Sequence, residues 1–235
     1  VCYFQTSNCL TNRSDTLLEL TAHADYCPRA HEVILKIATA PDAAAVVDLL
    51  QEATHRIGAD VAAWCAFVQE DEARAAFRFF LACDPRWCIE YEQQGWYADD
   101  PWLAYARAHS EPAVGRNVAL ATQTQRTMVS RAETFGFRST VIVPVPAGDG
   151  LSRVGMLCSG SATPEFFESE GYGALKIVAR SLANELQEWW LKKVQQELKA
   201  SWRVTTLELL LLAREREGLG TKAIAKELGT TLVAI

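Results

Sequence analysis

The chain has 235 residues, 49% of them apolar and 22% charged, with a formal net charge of −6. That length allows one large or two small globular domains with an adequate core; no apolar run is long enough to span a membrane, and the start lacks the basic-then-apolar pattern of a signal peptide. Seven cysteines, at positions 2, 9, 27, 65, 83, 88 and 158, include no Cys-x-x-Cys pair, so they read as reduced cytoplasmic thiols rather than a disulfide frame.

In chain order, residues 1–35 carry no clear pattern, although residues 31–38 fit a short helix. Pro41-Asp42 opens a clearer helix over 43–57, which Gly58 ends. Residues 61–68 and 75–83 are rich in β-branched and aromatic side chains and predict an antiparallel hairpin. The hairpin leads into Trp87–Trp102, which holds three tryptophans, two tyrosines and several carboxylates in sixteen residues. Trp87 and Tyr91 are four apart and share one helical face. Gly95 closes that helix, and Asp100-Pro101 opens the next as N-cap and first helical residue, over 101–108.

Residues 112–117 read as a loop or short edge strand. Helical spacing over 118–135 ends at Gly136, and the strands 139–145 and 153–161 flank the turn Gly148-Asp149-Gly150. Thr163-Pro164-Glu165 predicts the start of a helix running to 199, with Leu175, Val178, Leu182, Leu186, Trp189, Trp190 and Val194 on its apolar stripe. A stripe of that length is expected to seek a partner helix, here a second copy of the chain. Adjacent hairpins with helices between them give an α/β class: an α/β/α sandwich on a central antiparallel sheet, followed by a small all-α region.

The four histidines show no metal-ligand spacing, and there is neither a Gly-x-Gly-x-x-Gly nor a Walker loop. Neither a metal nor a cofactor is expected. No nucleophile, base and orienting group stand together, so an enzyme is not expected. From Trp190 onward eight Lys and Arg face five Glu, a net +3, which leaves −9 for the preceding residues. An acidic body with a basic tail fits a sensor joined to a nucleic-acid contact, although charge alone favours a solvated helical face.

The pattern Trp87-x3-Tyr91-x8-Asp100-Pro101, with Phe135-Gly136-Phe137, Val143-Pro144-Val145 and Val154-Gly155-Met156-Leu157 following in order, resembles the autoinducer-binding domain of LuxR-type quorum-sensing transcription regulators. The run from Glu217 to Gly229 resembles the second helix and turn of the same family's helix-turn-helix DNA-binding domain. The chain stops at Ile235, where the base-reading helix is expected to begin. The resemblance implies three parts: an unassigned segment 1–35, a sensor domain 36–199, and a truncated helix-turn-helix region 200–235 in which Lys222 and Lys226 are candidate DNA contacts.

The resemblance further implies an N-acyl homoserine lactone as signal ligand, a homodimer, DNA as partner of a complete helix-turn-helix, and a cytoplasmic location. Such a ligand offers one amide donor, two carbonyl acceptors and an apolar tail. By that analogy the Trp87 indole N–H meets the lactone carbonyl and the Tyr91 hydroxyl meets the amide carbonyl. An ionised Asp100 accepts from the amide N–H through a charge-assisted bond. Trp102 and Tyr97 are expected to close the wall, and Phe67, Phe79 and Leu81 to line the tail channel. Cys158 stands where the family often has a hydroxyl; Gly115 and Thr140 stand near positions where it commonly has Trp and Gly. Without the resemblance, Trp87 and Tyr91 fit core aromatics and Asp100 fits a simple N-cap. Two other readings follow from the missing recognition helix and the changed positions. The chain could be a truncated interaction module that forms inactive heterodimers with full-length regulators, or it could bind a non-lactone small molecule.

Overall fold

The computed structural model describes residues 2–4, 15–69, 75–146, 153–202, 206–227 and 229. Two compact units divide the chain, 1–189 and 190–235.

The first unit is built on a six-stranded sheet. Its strands are β1 (Cys2–Phe4), β2 (Val61–Gln69), β3 (Ala75–Ala82), β4 (Ala113–Val114), β5 (Ser139–Pro146) and β6 (Arg153–Ser161), in the order β1-β3-β2-β6-β5-β4. Five of them run antiparallel; the three-residue β1 adds a parallel edge on β3. In the register, Ala63 stands opposite both Leu81 and Cys158, and Cys65 opposite both Phe79 and Met156. Because side chains alternate along a strand, this register brings Ala63, Cys65, Phe79, Leu81, Met156 and Cys158 to one face.

Helix α1 (Leu17–Ala22) starts at a capping box in which Thr16 and Glu19 satisfy each other's backbone N–H groups, and α2 (Tyr26–Ile37) follows. Sequence reading found only the second half of α2. Its first turn is fixed from outside, by the Tyr26 hydroxyl donating to the Ile57 carbonyl at 3.0 Å. Helix α3 (Ala43–Ile57) matches its predicted bounds: Asp42 caps the first turn and Gly58 ends the helix at φ +93°. Beyond it, Asp60 Oδ2 accepts from Ser161 Oγ and the Ala162 N–H, both at 2.9 Å, which joins the start of β2 to the end of β6.

The other face carries α4 (Arg86–Gln93), α5 (Pro101–Ala108) and α6 (Gln123–Glu133). Helix α6 begins five residues later than apolar spacing suggests, at a capping box of Thr122 and Gln125. The last long helix, α7 (Tyr172–Trp202), does not start at Thr163-Pro164. Phe166 and Phe167 are buried instead, in a short 3-10 turn (Phe166–Glu168). Ser139 Oγ holds that turn, accepting from the Phe167 N–H at 3.0 Å and donating to Glu168 at 2.7 Å. Tertiary burial of two aromatic rings here overrides a good local N-cap signal. Leu175, Val178, Leu182 and Leu186 of α7 are fully buried within the chain, and Trp189 and Trp190 nearly so, while Val194 is half-buried.

The second unit contains α8 (Thr206–Arg216) and α9 (Thr221–Glu227), with Gly218 at φ +81° between them. Arg214 of α8 pairs with Glu217 at 2.7 Å and with Glu227 of α9 at 2.6 Å.

Candidate ligand-binding site

A cavity lies between the sheet and helices α4, α5 and α6. Together with the solvent-open space at its mouth, the non-atom space there amounts to about 440 Å³. Its floor is the face of β2, β3 and β6 described above. Its far wall is Trp87, Cys88 and Tyr91 of α4, Asp100 as N-cap of α5, and Trp102 in the first turn of α5. Met128 of α6 and Phe137, just before β5, complete the lining.

Trp87 is the centre of the aromatic wall. Its ring centroid lies 5.8 Å from Tyr91, 5.6 Å from Trp96, 5.6 Å from Phe135 and 6.2 Å from Phe137. Among the described residues the Trp87 indole N–H has no hydrogen-bond partner in the protein. An indole nitrogen can only donate, so this group is open to a ligand acceptor.

Asp100 is 5% exposed. Its Oδ1 accepts from the backbone N–H of Trp102 at 2.7 Å and of Leu103 at 3.1 Å, the usual N-cap bonds. Its Oδ2 accepts from the Tyr91 hydroxyl at 2.7 Å. Burial pushes its carboxyl above the ordinary carboxylate value, while the Tyr91 and backbone hydrogen bonds, and the charge of Arg107, pull the other way. Burial and the Asp100 charge beside it also push the Tyr91 hydroxyl well up, so it stays a donor. Asp100 is thus both N-cap and cavity wall, and the two roles use different oxygens. The hydroxyl expected to face a ligand carbonyl donates instead to the carboxylate, because two buried polar groups nine residues apart satisfy each other.

Of the other residues picked out in the sequence, Trp102, Phe79, Leu81 and Cys158 line the cavity. The side chain of Phe67 lies outside the described residues. Tyr97 does not line the cavity: it is 42% exposed, and Trp96 beside it is buried against Trp87 and Tyr91. After Gly95 the chain enters a 3-10 turn (Trp96–Ala98) in which Trp96 is buried and Tyr97 is exposed.

Sequence reading missed Ala63, Cys65, Cys88, Met128, Phe137 and Met156 of the lining. For Ala63 and Cys65 the signal is period-two alternation from Phe67 in the same strand, and for Met156 alternation from Cys158; Phe137 stands in the Phe135-Gly136-Phe137 anchor, and Cys88 and Met128 carry no such signal. It also missed how α6 is fastened. Asp99 Oδ2 accepts from Thr122 Oγ1 at 2.5 Å and Oδ1 from Gln125 Nε2 at 2.7 Å. At the other end of α6, Arg131 forms a two-pronged pair with Glu90 of α4 at 2.7 and 2.8 Å. Gly115 and Thr140 prove to be neighbours: a Cβ on Gly115 would stand 3.2 Å from the Thr140 Cβ. A side chain at 140 therefore takes the space a large residue at 115 would need.

The family described as autoinducer binding domain matches residues 42–185. The chain belongs to that family. No curated protein matches the chain by sequence. Among solved structures, the N-acylhomoserine lactone dependent LuxR family transcription factor CepR2 of Burkholderia cenocepacia shares 17% identity. It has a TM-score of 0.62, with 73% of this chain and 99% of that one covered. Escherichia coli SdiA shares 15% identity with a TM-score of 0.64, covering 89% and 87%. A structure of SdiA in complex with octanoyl-rac-glycerol gives 15%, 0.60, 90% and 85%. At these identities the likeness is one of fold. The cavity of this autoinducer-binding domain sits inside the matched region, on the sheet and helices that carry that fold.

Lys222 and Lys226 are exposed on α9, one turn apart. The described residues contain no cluster of His, Cys, Asp and Glu suited to a metal ion. No helix among them is long and apolar enough to cross a membrane.

Proposed function

We propose that this autoinducer-binding domain takes up an N-acyl homoserine lactone, or a close acyl analogue, and that the chain is a ligand-responsive transcription regulator. The observation that carries the reading is the convergence on one cavity wall of an unpaired indole N–H, a phenol and a buried carboxylate. Trp87 supplies a donor for one carbonyl. Asp100 Oδ2 is an acceptor for an amide N–H, which would compete with Tyr91 for it. The displaced Tyr91 hydroxyl can then turn to the amide carbonyl, so all three ligand groups find partners without stranding a protein group. The apolar floor takes the acyl chain.

The DNA contact through α8, the turn at Gly218 and α9, the homodimer and the cytoplasmic location belong to the same reading. It requires neither cofactor nor catalysis. The exposed pair Lys222 and Lys226 supports the DNA contact. In this reading the dimer interface lies away from the buried Leu175, Val178, Leu182 and Leu186 of α7.

Calorimetric titration of the full chain with octanoyl-homoserine lactone, beside an Asp100→Asn variant, tests the proposal. We expect saturable binding to the wild type and a loss of roughly tenfold or more in the variant, the weight of one charge-assisted bond. No binding to the wild type, or equal binding to both, would overturn it. A second reading, a non-lactone acyl ligand such as a monoacylglycerol, is favoured by the fold's likeness to an SdiA structure holding one. It predicts tighter binding of octanoylglycerol than of the lactone, and indifference to Asp100→Asn.

A further inference from the structure

Among the described residues the polar side-chain atoms of the cavity are confined to one wall. Every described lining side chain that carries nitrogen or oxygen, namely Trp87, Tyr91, Asp100 and Trp102, comes from α4 or the start of α5. The sheet contributes Ala63, Cys65, Phe79, Leu81, Met156 and Cys158, none with a nitrogen or oxygen in its side chain. Nor do Cys88, Met128 and Phe137 carry one. The backbone of the floor is committed as well: β2 is laddered to β3 on one side and β6 on the other, β3 is flanked by β1, and β6 by β5.

Two thiols stand where the floor meets the polar wall. Cys65 and Cys158 are both buried, and burial together with the nearby Asp100 charge pushes both thiols up. They stay protonated, and a neutral thiol is only a weak hydrogen-bond donor. An oxygen on a ligand chain lying on this floor would lose its water and gain no comparable partner.

We infer that the ligand carries its polar groups at one end only, and that the chain lying on the sheet is unsubstituted hydrocarbon, without a keto or hydroxyl group. This rests on the acyl-ligand reading above and specifies the class of chain. With Cys65, Cys158 is one of two floor positions where a hydroxyl in place of the thiol would offer a chain oxygen a partner, and we assign the selectivity to it.

Titrating the full chain with octanoyl-homoserine lactone and with 3-oxooctanoyl-homoserine lactone, which differ by one keto oxygen, tests this. The unsubstituted ligand should bind roughly tenfold or more tightly, the weight of one buried acceptor left unpaired. Cys158→Ser, nearly equal in size, should narrow that preference several-fold by improving the 3-oxo ligand. Equal affinities in the wild type, or a preference for the 3-oxo ligand, would overturn the inference while leaving the acyl-lactone reading intact. Failure of both ligands to bind would overturn both. The wild-type comparison decides the matter even if the serine variant does not fold.

Discussion

The Tyr91 hydroxyl donates to Asp100 Oδ2 across 2.7 Å, from the second turn of α4 to the N-cap of α5. This bond ties together the two helices that form the polar wall. It also makes the carboxylate's charge state a property of the fold.

Tyr91→Phe tests that bond directly. It leaves Oδ2 buried without its donor, a cost of about 1–3 kcal/mol. It also removes an interaction that holds the Asp100 carboxyl down, so the carboxyl rises further. A carboxyl raised in the folded state favours folding below its unfolded pKa, and that contribution is lost as pH rises through the folded value. Urea denaturation should therefore show a larger loss in the variant at pH 7 than at pH 4.

Asp100→Asn separates stability from recognition. The asparagine oxygen can still cap α5, and the side chain no longer titrates. Because burial raises the Asp100 carboxyl, the wild type loses stability from this group as pH rises above the ordinary carboxylate range. The stability of the variant relative to wild type should then shift in its favour between pH 4 and pH 7, as thermal melts at both pH values will show. An unchanged difference would count against burial as the governing cause.

Trp87→Phe keeps most ring contacts with Trp96 and Phe137 and deletes only the N–H. We expect a melting temperature close to wild type and an affinity for octanoyl-homoserine lactone lower by roughly tenfold, as for one lost hydrogen bond. A large fall in melting temperature would instead make the ring's packing its main role.

Gln125→Ala removes three interactions at once: the bond to Asp99 and the two backbone caps at Ala121 and Thr122. A loss of about 1–2 kcal/mol is expected, with faster amide hydrogen exchange confined to α6. Exchange that rises across the whole first unit would show that α6 is not fastened locally.

Gly160→Ala probes the support behind the cavity. Its Cβ would stand 2.7 Å from Phe137 Cδ1, 2.8 Å from Val61 Cγ2 and 2.9 Å from the Gly136 carbonyl oxygen. The last atom is backbone and cannot swing away. Overpacking of this kind costs about 1–3 kcal/mol, and because Phe137 lines the cavity, ligand affinity should fall with the melting temperature.

Much of the frame is legible in the sequence because its signals are local. Asp100-Pro101 fixes the start of α5, and Gly58 and Gly95 fix turns that need a positive φ. Four strands follow from apolar and β-branched composition alone, and a family motif spread over some seventy residues includes three side chains that line one wall of the cavity. The errors fall where a distant partner decides. The start of α7 depends on burying Phe166 and Phe167 beside Ser139, and the choice of Trp96 over Tyr97 depends on the wall around Trp87.

By itself, then, the sequence determined the fold class, the family and the three polar side chains, since capping, alternation and motif spacing all act within a few residues. Only the tertiary structure decided which atoms remain available. It gave the Tyr91 hydroxyl to Asp100, left the Trp87 N–H open, and placed thiols and thioethers rather than hydroxyls on the floor. Those outcomes depend on strand register and on contacts between residues far apart in the chain, and no local pattern encodes the competition of buried groups for one another.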